Sequence, residues 1–270
     1  MIKPVRFLIL IVCFSLSLAA CTSDTDLNES APAAVDTLRV MAYNIHHGEG
    51  MDEVLDLERI AALIREVDPD LVALQEVDSV VTRTKGVDQA SELARLTGMD
   101  SRFGRFMAYQ GGAYGMAVLS RLPLRSSNNY RLPDGDEPRT ALAVEVELPG
   151  SKKRFRFIGI HFYRTEEERL AQAQRMEEYL ASEEEMTTFL AGDFNSQPGT
   201  AVLQHLESSW TVVDKGHDHF TFPSYGPERE IDFFMYRAQG EVEIIHQEIL
   251  NEPVMSDHQP LVMDVVIRNP

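Results

Sequence analysis

The strongest constraint on the fold is a rhythm of short β-forming runs with helical segments between them. Nine such runs recur, at Leu38–Asn44, Leu71–Gln75, Met116–Ser120, Ala141–Leu148, Phe155–His161, Thr187–Ala191, Ile231–Tyr236, Val242–Ile249 and Leu261–Ile267. Most are bounded by Gly, Pro, Asp or Asn, the residues that supply turn geometry. Between them, Leu57, Ile60, Ile64 and Val67 recur at helical spacing and stop before Pro69. A second helical pattern opens on Thr165 and Glu168, a capping-box pair, and carries Leu170, Ala173, Met176 and Leu180. Some strands alternate, as Val144, Val146 and Leu148 do against Glu145 and Glu147, whereas others are continuously apolar. Strands of the second kind must be covered on both faces, so the expected architecture is layered α/β, with strands packed against a second sheet on one side and helices on the other.

The N-terminus reads differently. Lys3 and Arg6 precede Phe7 to Ala20, an uncharged and mostly apolar run of 14 residues. A membrane-spanning helix needs roughly 20 apolar residues, so this run has the layout of a secretory signal instead. It ends Leu18-Ala19-Ala20-Cys21, which resembles the lipobox of bacterial lipoproteins. The expected organisation is a signal peptide over residues 1–20, an acidic flexible tether over 21–36 beginning at a lipidated Cys21, and one folded domain over 37–270. Cys13 would leave with the signal, so the mature domain would have neither a free thiol nor a disulfide and would rest on its core alone. The whole chain of 270 residues carries 25 Lys+Arg against 43 Asp+Glu, a net charge of -18. Losing Lys3 and Arg6 leaves 23 cations against 43 acids, a net of -20. Such a surface repels a phosphate backbone and disfavours polymeric nucleic acid as a partner.

Polar residues capable of chemistry gather at strand ends. The first strand ends Tyr43-Asn44-Ile45-His46-His47-Gly48, and the second runs into Gln75-Glu76-Val77-Asp78. Later ones end at His161 and at Gly192-Asp193-Phe194-Asn195; Ile231-Asp232 opens another, and Ser256-Asp257-His258 precedes the last. An acid or imidazole beside an apolar strand is costly if buried unpaired, so six such places point to one shared polar site. Each alone has a plainer reading, as a loop acid or a helix cap.

This ordered series resembles the endonuclease/exonuclease/phosphatase superfamily, the group that includes pancreatic deoxyribonuclease, abasic-site endonucleases, bacterial sphingomyelinases and inositol-polyphosphate phosphatases. The resemblance runs from Leu38 to Ile267. It implies a four-layer α/β/β/α sandwich, two packed mixed sheets flanked by helices, and hydrolysis of phosphate esters with Mg²⁺ or Mn²⁺. By resemblance, Asn44, Glu76 and Asp257 are the metal positions, a sparse oxygen set that suits a hard cation. Asp193 orients or deprotonates the attacking water, Asn195 holds that water or the phosphate, and His161 donates to a phosphoryl oxygen. Asp232 and His258 form a carboxylate–imidazole dyad. Several members place a second acid two residues beyond the Asn; here that position is His46, a substitute ligand, an outer group or a loop residue. The Asn44 and Gln75-Glu76 segments are also similar to a branch related to eukaryotic lipid-anchor-remodelling proteins and to uncharacterised bacterial hydrolases.

Four further residues leave alternatives open. Arg139 could bind a substrate phosphate or pair with Glu137, and Tyr114 could face substrate or serve as a core or lid tyrosine. His217 and His219 have a spacing that could hold zinc, but they sit in a polar loop without a cysteine. The expected function is a monomeric, extracytoplasmic, membrane-tethered phosphoesterase. Its expected substrate is a small-molecule or lipid-head-group phosphodiester. The alternatives are a nuclease of the same fold and a non-catalytic surface binding lipoprotein.

Overall fold

Side chains of a strand point alternately to opposite faces, and in this chain both faces of most strands are dry. The computed structural model describes residues 36–148 and 151–268; the expected signal, Cys21 and the tether up to residue 35 lie outside the described residues. In chain order the elements are β1 (Asp36–Asn44), α1 (Leu57–Val67), β2 (Leu71–Ser79), α2 (Gln89–Thr97), β3 (Asp100–Tyr109), β4 (Gly112–Ser120), β5 (Leu124–Arg131) and β6 (Thr140–Glu147). There follow β7 (Arg154–His161), α3 (Glu166–Ala181), β8 (Thr188–Asp193), α4 (Ala201–Glu207), β9 (Thr211–Val212), β10 (Asp232–Arg237), β11 (Glu241–Ile249) and β12 (Leu261–Arg268). They form two six-stranded mixed sheets, ordered β11-β12-β1-β2-β4-β3 and β5-β6-β7-β8-β10-β9.

Three apolar clusters define the layers. Leu38, Val40 and Ala42 of β1 meet Phe157, Phe189 and Ala191 of the other sheet in the central core. The opposite face of β1, Met41 and Tyr43, packs with Val72 and Leu74 of β2 on Ile60 and Ile64 of α1 and Leu93 of α2. Ile158, Ile160 and Leu190 on the outer face of the second sheet pack on Ala173, Met176 and Leu180 of α3 and Leu203 of α4. The result is the expected α/β/β/α sandwich, in which most of the hydrophobic stabilisation is shared among three interfaces.

Helix ends follow local chemistry. Asp56 caps α1 by accepting from the amides of Glu58 and Arg59, and the helix stops at Asp68, which turns left-handed before Pro69. At α3, Thr165 accepts from Glu168 N, while the Glu168 carboxylate takes the Thr165 hydroxyl. All nine expected strands are present. β3, β5 and the two-residue β9 were not expected: β3 and β5 are rich in exposed polar residues, and all three lie at the outer edges of their sheets, where one face need not be apolar. Tyr114, expected ahead of a strand, lies inside one. β4 starts at Gly112 because Gln110 and Gly111 adopt positive φ and close a β3–β4 hairpin.

Candidate active site

Strand register assembles the site before any side chain is considered. In the second sheet His161 of β7 is aligned with Asp193 of β8, and Asp193 with Asp232 of β10. In the first sheet Asn44 ends β1 beside Gln75 of β2. The two sets face one another where the sheets abut. The Asn44 Nδ2 amide group spans the gap, donating to Glu76 Oε1 at 3.2 Å and to Asp193 Oδ2 at 3.2 Å. Its oxygen accepts from His46 N at 3.1 Å.

Glu76 reaches this position through a distortion. The β2–β4 pairing shifts register between Leu74 and Val77, and Glu76 within that bulge has a φ of 57°. A bulge re-aims a side chain, and positive φ in a residue with a Cβ is a strain of roughly 1–3 kcal/mol that surrounding structure must hold. His46, His47 and Asn195 also have positive φ, so the strain clusters at this edge.

The dyad expected from the sequence is formed: His258 Nδ1 lies 2.9 Å from Asp232 Oδ2. Because a carboxylate only accepts here, Nδ1 carries the proton and Nε2 points toward Asp193 Oδ2, 3.7 Å away. Burial opposes charge on this ring, but Asp232 and then Asp193 outweigh it and hold His258 above its ordinary value. Burial raises Asp193 in turn; His258 and the Asn195 amide, donating to Oδ1 at 2.7 Å, act against that rise. His161 is the opposite case. Burial, followed by Arg139 and His258, drives it well below its usual value, so it is a neutral imidazole. Its Nε2 is 3.4 Å from Asp193 Oδ2, and its buried Nδ1 has no hydrogen-bond partner among the described residues.

Asn195 is fixed by Nδ2 donating to Phe162 O at 3.0 Å. Asp257 joins the site through its neighbours. The Ser256 hydroxyl donates to the Asn44 carbonyl at 2.6 Å and accepts from His258 N at 3.3 Å, which pins the Ser-Asp-His loop to the end of β1. The Asp257 carboxylate accepts from the same hydroxyl at 3.4 Å.

Arg139 is only 3% exposed and pairs with Glu137 at 2.9 Å. Its guanidinium lies over Phe106 (5.0 Å), Tyr163 (5.2 Å) and Tyr114 (5.9 Å). Burial and then Glu76 keep the Tyr114 phenol well above its ordinary value and thus neutral. Sequence reading missed Arg83, which lies 5.4 Å from the same Tyr114 ring and forks onto the fully buried Asp78 at 2.7 and 2.9 Å. The acid two residues beyond Glu76 was the only available signal. It also passed over Gln75, which is fully buried against Gly192. His217 is exposed and His219 half-buried in a loop, and neither falls in a metal-competent cluster among the described residues.

Two packed mixed sheets with carboxylates and imidazoles converging at one edge define a phosphoesterase fold. The chain belongs to the endonuclease/exonuclease/phosphatase family, whose model matches residues 41–258. It is 26% identical over 244 residues to the uncharacterized protein YbhP of Escherichia coli, covering 85% of this chain and 96% of that protein. Among solved structures it is similar to a mannosyl-6-phosphatase of Bacteroides thetaiotaomicron, with a TM-score of 0.70 and 17% identity over 85% of this chain and 100% of that one. It is also similar to the human Nocturnin catalytic domain with a bound sulfate anion, with a TM-score of 0.67 and 22% identity over 85% of this chain and 94% of that one. Members of the family are hydrolases acting on phosphoester bonds.

The donor set fits the divalent cation that the family typically uses. Glu76, Asp193 and Asp232 bring carboxylates to a buried edge together with acidic Asp257, and among the described residues the only side-chain cation in direct contact with them is His258. Buried like charges at such separations are unfavourable until a cation or proton offsets them.

Proposed function

We propose that this chain is a divalent-metal-dependent hydrolase of phosphate esters, acting on a small-molecule or lipid-head-group phosphodiester. The observation that carries the reading is the contact across the sheet gap. Asn44 and Glu76 from one sheet meet Asp193 from the other, with neutral His161 and the Asp232–His258 dyad on either side. Asn44, Glu76 and Asp257 would hold Mg²⁺ or Mn²⁺, which when bound polarises a phosphoryl oxygen and offsets charge on the leaving oxygen.

The protein's own groups supply the rest. Asp193, raised by burial, is a base poised closer to neutrality than an exposed carboxylate and takes the proton of the attacking water. Asp232 fixes the His258 tautomer so that Nε2 faces Asp193 and can share that proton. Neutral His161 donates a hydrogen bond to a phosphoryl oxygen, and Asn195 orients the water or the phosphate. Arg139, with Tyr114 beside it, gives the substrate phosphate a preformed cation over aromatic rings.

The net charge of -18 supports a small or lipid substrate over a polymer, and the likeness to a solved mannosyl-6-phosphatase agrees with a small phosphate ester. The Leu18-Ala19-Ala20-Cys21 pattern supports export and lipidation at Cys21, placing the enzyme extracytoplasmically beside membrane lipids. The test is metal-dependent turnover of bis-(4-nitrophenyl) phosphate, abolished by EDTA and by Asp193→Ala. Inactivity with every divalent metal would overturn the reading. A panel of glycerophosphodiesters, sphingomyelin and plasmid DNA then assigns the substrate class. Loss of membrane attachment in Cys21→Ala tests the anchor.

A further inference from the structure

Two histidines beside the catalytic cluster, together with Glu76 of the cluster itself, are arranged for a different donor chemistry. His46 and His47 form a single 3-10 turn with Gly48 directly after β1, and Glu76 stands on the β2 bulge beside them. One potential ligand atom from each of His46, His47 and Glu76 lies within 4.8 Å of the others. That spread closes by side-chain adjustment onto one ion with bonds of roughly 2.0–2.2 Å.

The ring of His46 is prepared in the manner of a metal ligand. Its Nδ1 lies 3.0 Å from the carbonyl oxygen of Glu49. A carbonyl can only accept, so Nδ1 carries the proton and Nε2 keeps a bare lone pair. A backbone carbonyl fixing the tautomer in this way is the usual outer partner of a ligating imidazole. His47 is 9% exposed, and its Nδ1 is buried with no hydrogen-bond partner among the described residues. Its Nε2 is 3.8 Å from the Glu49 carboxylate, beyond hydrogen-bond length. A buried unpartnered polar atom costs about 1–3 kcal/mol unless something outside the protein satisfies it. The backbone of His47 is meanwhile held in place by Gln89 Nε2 donating to its carbonyl at 2.6 Å. The same Gln89 accepts from Asp78 N at 2.8 Å, tying the turn to β2 beyond Glu76.

We propose that His46, His47 and Glu76 form a nitrogen-containing metal site that takes a borderline transition ion of the Zn²⁺ class in preference to Mg²⁺. Imidazole suits Zn²⁺ and its neighbours, whereas Mg²⁺ demands oxygen and sheds water reluctantly. The site shares Glu76 with the phosphoesterase reading but depends on neither Asp257 nor the dyad, so it stands or falls separately.

The experiment is a Zn²⁺ titration of the chelator-stripped full chain, with Co²⁺ absorption as a spectroscopic readout and Mg²⁺ as the competitor. His46→Asn and His47→Asn are the informative variants, because asparagine tolerates the positive φ both positions adopt. Each is expected to weaken Zn²⁺ binding at least roughly tenfold and to bleach the Co²⁺ bands. His217→Asn should bind Zn²⁺ as the unsubstituted chain does. In that unsubstituted chain, Zn²⁺ should shift the His46 and His47 ring resonances and leave those of His217 and His219 in place, a reading that needs no variant. Zn²⁺ affinity unchanged in both histidine variants, or lost only in His217→Asn, would overturn the proposal. Absent hydrolysis with histidine-dependent Zn²⁺ binding intact would support this site while refuting the phosphoesterase reading.

Discussion

At Gly192 a single added methyl group would disturb both the fold and the edge that carries the proposed active site. Its φ is 134°, and a Cβ built there would stand 2.3 Å from the Ile160 carbonyl oxygen and 2.7 Å from Gln75 Nε2. Ordinary contacts begin at 3.4 Å, so β8 would have to retreat from β7 by about an ångström. The obstacle is backbone rather than a flexible side chain, since Ile160 is the register partner of Gly192. Gly192→Ala therefore combines roughly 1–3 kcal/mol of φ strain with roughly 1–3 kcal/mol of overpacking. At about 2–4 °C per kcal/mol for a domain of this size, Tm should fall by at least about 4 °C. Asp193 follows directly in the chain, and a shift near 1 Å at a reacting group costs on the order of 100-fold in turnover. Gly199→Ala is the control: its φ of 84° is strained, but nothing lies within 4 Å of the added Cβ. Thermal melts and bis-(4-nitrophenyl) phosphate turnover read both effects. If Gly192→Ala melts within 2 °C and turns over within threefold of the parent, the close approach of β8 to β7 and Gln75 does not position the site and the reasoning is wrong.

Three further outcomes follow from single contacts. Asp232→Asn keeps the shape of the dyad but removes the charge that raises His258, so turnover should drop by roughly 10²–10⁴-fold. The raised imidazole stabilises the metal-free protein fully below its ordinary value near 6.5 and loses that contribution as pH climbs through about 10. The variant should thus be less stable than the parent near pH 7 and converge on it above pH 10; a constant gap in urea melts across that window would refute the assignment. Ser256→Ala deletes the donor to the Asn44 carbonyl and the acceptor for His258 N, and chemical denaturation should show a loss of about 1–3 kcal/mol. Arg139→Lys loses the planar fork over Phe106 and Tyr163, and steady-state kinetics should show KM rising about tenfold with kcat less affected; an unchanged KM would mean that Arg139 serves only Glu137.

The layered α/β architecture and most of the central strands were legible in the chain because burial on two faces leaves a compositional mark. Runs such as Phe155–His161 have to be apolar wherever they sit in a two-sided core. β3 and β5 carried no such mark, being half solvated, and α2 and α4 are too short for their periodicity to stand out. The chemistry-bearing residues were legible for a related reason: Glu76, Asp193 and Asp232 abut apolar strands, where an acid is costly without a purpose. Pairing across chain separations of 30 to more than 200 residues was not legible. Only register sets His161, Asp193 and Asp232 side by side, and only the packing of one sheet on the other brings Asn44 within hydrogen-bond reach of Asp193. The same holds for the contact that sets the His46 ring, one nitrogen on the Glu49 carbonyl, which no reading of the sequence shows. A sequence records which side chains must be dry and which would be expensive to bury. Which buried polar groups satisfy one another is decided by distances of a few ångströms, which exist only after the sheets have closed.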